Sequence, residues 1–108
     1  MTDAPAIAVD QLPADAVLLD VREPDEWAAG HAEGAVHVPL ADVPARLGDL
    51  PPATPLYVIC RSGARSGRAV QWLSQQGVDV VNVSGGMQAW AASGRPMVSE
   101  RGTDPFVA

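Results

Sequence analysis

A chain of 108 residues, 47 % of them hydrophobic, is long enough for one domain with a single core, so residues 1–108 are read as one unit. A net charge of −6 excludes the electrostatic footprint of a nucleic-acid binder, and no apolar run approaches the roughly 18 residues of a membrane span. The single cysteine excludes an internal disulfide. Met1 to Asp10 carries neither a basic end nor a long apolar stretch, and a lone thiol lasts best in a reducing compartment, so the expected location is cytoplasmic. On the same grounds the Asn82-Val83-Ser84 triplet is read as a chance glycosylation match.

In chain order, short apolar runs alternate with helix-like segments, the pattern of an α/β domain with a mostly parallel sheet. Strands are expected at Ile7 to Val9, Val17 to Val21, Val36 to Val38, Leu56 to Cys60 and Val78 to Val83. The second, fourth and fifth are the most continuously apolar and are expected in the centre. Pro24 suits the first turn of a helix carrying Asp25, Glu26 and Trp27, with Gly30 at its end. A weaker helical stretch covers Ala41 to Leu47, where Pro44 must lie near the start or break it. The clearest helix follows Cys60, with Ala69, Trp72, Leu73 and Gln76 on one face and Gly77 as its stop. A last short helix from Met87 to Ala92 follows the Ser84-Gly85-Gly86 turn, and the tail 95–108 is expected to be either flexible or laid over the surface.

The chemistry points to Cys60. A lone Cys in an apolar strand is ordinarily a small buried hydrophobe, but this one opens the segment Cys60-Arg61-Ser62-Gly63-Ala64-Arg65-Ser66-Gly67-Arg68. Three of the seven basic residues fall in that stretch, at a strand end that leads into a helix, where amides, a helix dipole and guanidinium groups stabilise negative sulfur. Such an electropositive spot in an acidic chain attracts small anions.

Three polar segments fall at strand carboxyl ends, where open parallel sheets bind ligands: Asp20-Val21-Arg22, Cys60-Arg61 and Ser84-Gly85-Gly86. Their surroundings carry a resemblance. Asp20-Val21-Arg22-Glu23 with Glu26-Trp27, Gly30-His31, Gly34-Ala35 and Pro39 resembles the entry motif of the rhodanese family. Cys60 to Ser66 is similar to that family's active-site loop, and Gly85-Gly86 with Ala89-Trp90 to its closing motif. The match runs from Val17 to Trp90 in the right order; Ala32 and the short segment between Val9 and Val17 depart from the family pattern.

The resemblance implies an α/β fold with a five-stranded parallel sheet flanked by helices on both faces, and a sulfurtransferase whose Cys60 carries sulfur as a persulfide. It implies that the amides from Arg61 through Ser62, Gly63 and Ala64 to Arg65 cradle the outer sulfur. The Arg61 and Arg65 side chains would draw in an anionic donor such as thiosulfate, with cyanide or a thiol as acceptor. No metal or organic cofactor is required, and neither nucleic acid nor membrane is an expected partner. A protein sulfur acceptor stays open, as does a role as an interaction module. A cysteine phosphatase is the less favoured rival, because such enzymes resemble Cys-x5-Arg whereas four residues separate Cys60 from Arg65.

Among the other marked residues, Arg22 and Glu26, four apart, are read as a structural ion pair. Asp20 either lines the site or accepts hydrogen bonds at the strand end. His31 is read as a satisfied turn residue outside the chemistry, and His31, His37 and Cys60 make a poor metal set. Trp27, Trp72 and Trp90 are core or pocket wall, and Gly85 and Gly86 are turn formers or pocket lining.

Overall fold

The computed structural model describes residues 5–108, so the first four residues of the expected domain lie outside it. The main sheet is parallel and five-stranded, its strands side by side in the order β1 (Ala6–Ala8), β6 (Val80–Ser84), β5 (Leu56–Ile59), β2 (Leu18–Asp20) and β4 (Val36–His37). All five expected strands are present, and β6, β5 and β2 occupy the centre. The helices are α1 (Pro24–Ala29), α2 (Ala64–Gln75) and α3 (Gly86–Ala92).

Successive side chains of a strand point to opposite faces, and β5 shows what that does here. Leu56, Val58 and, just beyond the strand, Cys60 join the core that contains Ala69, Val70 and Leu73 of α2. Tyr57 and Ile59 join the other core, with Met87 and Trp90 of α3. Both faces of the sheet are thus covered, which is why its central strands read as continuous apolar runs. The same alternation sends Cys60 to the α2 side.

Several local expectations need correction. Ala41 to Leu47 does not form an α-helix but two 3₁₀ turns, Leu40–Asp42 and Pro44–Asp49, because the Pro44 ring stops any helix arriving from Ala41. Gln76 does not share the buried face of α2; it is the exposed C-cap, and Val70 fills the core instead. Two short strands that no periodicity announced, β3 (His31–Ala32) and β7 (Met97–Val98), pair antiparallel. Beyond β7 the chain lies along the end of α1, where Glu100 N–H donates to Ala28 O and Phe106 N–H to Ala29 O. Gly30 is needed there because a Cβ would run into the Phe106 backbone.

Arg22 and Glu26 do not pair. Arg22 is fully buried and folds back on Asp20, its Nη2 2.8 Å and its Nε 3.0 Å from the carboxylate oxygens. Nη2 also donates to Gly30 O, and the Arg22 carbonyl accepts from His37 Nε2 at 2.7 Å. The i,i+4 argument fails because Arg22 precedes α1, so the two residues never share a helix face. Asp20, also fully buried, therefore serves this clamp rather than the site. His31 is buried, stacked on Trp27 with ring centroids 3.5 Å apart, and bonded to Ala32 O and the Glu100 carboxylate. That agrees with its reading as a structural residue.

Candidate active site

Cys60 follows directly on β5, the central strand, and is 1 % exposed. The chain then turns through Arg61, Ser62 and Gly63 into α2, and Gly63 takes φ +107°, a left-handed conformation that costs a side-chain-bearing residue about 1–2 kcal/mol. That turn aims the start of α2 at the thiol. Gly63 N–H donates to Cys60 Sγ at 3.0 Å, and Ser66 Oγ lies 3.2 Å from the same sulfur. Gly63, the N-cap of α2, provides no side-chain cap, so Sγ stands where a capping oxygen ordinarily would.

Burial pushes the Cys60 thiol up, but hydrogen bonds from the Ser66 hydroxyl and from the N–H groups of Ser66, Gly63 and Ser62 outweigh it and leave the pKa below that of an ordinary cysteine. The start of α3 holds the other side of the loop. Met87 N–H donates to Cys60 O at 2.8 Å and Gln88 N–H to Arg61 O at 3.0 Å. With both carbonyls drawn outward, amides rather than carbonyl oxygens are left to face the sulfur. Gly86, at φ +55°, makes this contact, since any Cβ there would collide with the Cys60 and Arg61 carbonyls.

The six expected site residues are contiguous, but they are not equivalent. Cys60 is buried at the base, Ser62 and Gly63 turn amides to the sulfur, and Ala64 is the exposed first residue of α2. Arg61 is exposed and donates from Nε to the Ala108 carbonyl at 3.0 Å. Arg65 is engaged by Glu26 in a two-pronged ion pair, Nη1 to Oε1 at 2.7 Å and Nη2 to Oε2 at 2.8 Å. The Arg65 hydrogen bonds hold the Glu26 carboxyl at about 2.

Three contributors escaped sequence reasoning: Glu26 as the partner of Arg65, Ser66 as a donor to the sulfur, and Asn82. Asn82 bonds Ser66 Oγ through Oδ1 at 2.6 Å and Gly63 O through Nδ2 at 3.1 Å. Ser66 adjoins the loop and Asn82 is a polar residue inside an apolar strand; each was a signal of sorts. Nothing local announces Glu26.

The Glu26–Arg65 pair gives an acid-stability prediction. Because the Glu26 pKa is depressed, the pair contributes its full stability above the unfolded-state value and loses it as pH falls toward about 2. Glu26→Gln is expected to cost about 1–2 kcal/mol near neutrality, and the deficit should shrink between roughly pH 5 and pH 2. Urea unfolding of both proteins at several pH values checks this. A deficit independent of pH would contradict it.

A parallel α/β domain with a thiol at the start of the helix that follows its central strand places that sulfur where amides and the helix dipole favour negative charge. Comparison with known proteins makes the family definite: residues 5–93 match the rhodanese-like domain, and the chain belongs to that family. It is 40 % identical over 89 residues to a sulfurtransferase of Allochromatium vinosum, covering 82 % of this chain and 83 % of that one. It is 42 % identical over 74 residues to a putative sulfur carrier protein, YrkF, of Bacillus subtilis, covering 68 % of this chain and 40 % of that one. Among solved structures, a rhodanese-related protein from Thermoplasma volcanium superposes with a TM-score of 0.81 at 34 % identity, covering 87 % of this chain and 97 % of the other.

Proposed function

We propose that this domain is a sulfurtransferase in which Cys60 carries sulfane sulfur as a persulfide. The observation that carries the reading is the thiol at the start of α2, with Gly63 N–H at 3.0 Å and Ser66 Oγ at 3.2 Å from Sγ. The Cys60 thiolate attacks the outer sulfur of thiosulfate, the S–S bond breaks, its electron pair leaves with sulfite, and Cys60–Sγ–S⁻ remains. The amides of Arg61 to Arg65 receive the outer sulfur. A thiolate or cyanide then attacks that sulfur, and the pair of the second broken S–S bond returns to Sγ. The cytoplasm, which keeps thiols reduced, is the compartment that suits this cycle.

One feature favours a persulfide donor, or a dedicated protein partner, over free thiosulfate. Arg65 already has the Glu26 carboxylate as its counterion, which leaves the exposed Arg61, its Nε engaged by the Ala108 backbone oxygen, to meet a dianion. The relative named as a putative sulfur carrier fits that variant. Phosphoryl hydrolysis is disfavoured on the same ground, because Arg65 is paired and the position that Cys-x5-Arg spacing would give to arginine is Ser66.

Intact mass spectrometry tests the reading. Thiosulfate, or in a second arm a small-molecule persulfide, should add the mass of one sulfur atom, and cyanide or a thiol should remove it. Loading by the persulfide alone selects the carrier variant. A protein that gains no sulfur from either donor overturns the proposal.

A further inference from the structure

We propose that Asn82 is a positioning residue that governs the ionisation of Cys60 by competing with Sγ for the single proton of the Ser66 hydroxyl. The inference rests on the reading of Cys60 as the sulfur carrier, and it adds a residue outside the loop. Ser66 Oγ is 2.6 Å from Asn82 Oδ1 and 3.2 Å from Cys60 Sγ, and Ser66 is fully buried. A hydroxyl has one proton to donate. Asn82 Nδ2 donates to Gly63 O, which fixes the amide so that Oδ1, able only to accept, faces Ser66.

Two arrangements follow. While Cys60 is a thiol, the Ser66 proton lies toward Asn82, and Ser66 Oγ offers a lone pair to S–H. Once Cys60 is a thiolate, the proton must turn to the sulfur, and the short bond to Asn82 is given up. In the loaded state Sγ is a neutral bridging sulfur and a poor acceptor, so the proton returns to Asn82. When an acceptor RS⁻ attacks the outer sulfur of Cys60–Sγ–S⁻, the S–S bond breaks, its electron pair goes to Sγ, RS–S⁻ leaves, and Ser66 turns back to the new thiolate. Asn82 thus stabilises the resting thiol and the persulfide relative to the thiolate.

The competition is local to these three side chains. Of the elements packed around Cys60, β6 and α3 carry no ionisable residue, and β5 carries only Tyr57. On β2, Asp20 is neutralised by Arg22; across the α2 start, Arg65 is neutralised by Glu26, with exposed Glu23 beyond, and Arg68 of α2 is exposed. Arg61 is exposed on the loop itself. None of these is altered by substitution at Asn82.

The test is the pH profile of Cys60 alkylation by iodoacetamide, which reads the thiolate and needs no sulfur donor. Asn82→Ala removes a hydrogen bond present only in the thiol form, so the apparent pKa should fall by about one pH unit. Ser66→Ala removes the donor to the thiolate and should raise it by about one pH unit. In the Ser66→Ala background, adding Asn82→Ala should move the profile no further, because Asn82 acts through Ser66. Asn82→Val, which matches the neighbouring strand residues, repeats the measurement if the alanine variant is too unstable. No fall with an Asn82 variant, or no rise with Ser66→Ala, overturns the proposal. So does a fall that persists without Ser66, which would route the effect through the Gly63 carbonyl. A protein that alkylates as expected yet takes up no sulfur would refute the sulfurtransferase reading and leave this coupling standing.

Discussion

Replacing Cys60 with serine is expected to leave a folded protein that takes up no sulfur, with sulfur transfer reduced by about a thousandfold or more. Serine is the near-isostere of cysteine, and a hydroxyl can accept the Gly63 N–H that Sγ accepts, so α2 keeps a cap and the strand-to-helix turn its shape. The chemistry does not survive, because a serine hydroxyl is scarcely ionised near neutrality and forms no persulfide. Thermal denaturation should change little while loading by thiosulfate or a persulfide, read by intact mass, disappears. Undiminished transfer by folded Cys60→Ser protein would remove Cys60 from the mechanism altogether.

The largest expected loss of stability comes from a residue away from the sulfur. Arg22→Met should cost about 3–5 kcal/mol, the usual consequence of leaving a buried charge without its partner. Asp20 and Arg22 are both fully buried, and the guanidinium makes three hydrogen bonds to the Asp20 carboxylate and one to Gly30 O. Without it, Asp20 retains only the Arg22 backbone N–H among these contacts. The pair itself is imperfectly satisfied, since Arg22 Nη1 makes no hydrogen bond among the described residues. The double variant Asp20→Asn with Arg22→Met should therefore recover much of the loss. Urea unfolding of the two proteins decides: a loss below about 1 kcal/mol for Arg22→Met would mean that the clamp contributes little to the fold.

The parallel sheet, the identity of its three central strands and the position of Cys60 at a strand-to-helix junction were legible in the amino-acid sequence. These follow from which side of each element is apolar, and burial is written locally: Leu56, Val58 and Cys60 alternate with Tyr57 and Ile59, and the period alone assigns them to opposite faces. The cysteine loop, its glycine and the helix behind it were legible for the same reason.

The partners of the polar groups were set by the assembled fold. Spacing offered Arg22 to Glu26, yet Arg22 turned to Asp20 two residues back and Glu26 reached Arg65 thirty-nine residues away. Ser66 and Asn82 met because α2 crosses β6, and the strands at His31 and Met97 exist because the tail returns along α1. A polar side chain makes a few directional bonds, and it makes them with whatever the completed fold brings within about 3 Å. Periodicity records which way a residue faces; the fold chooses what stands opposite.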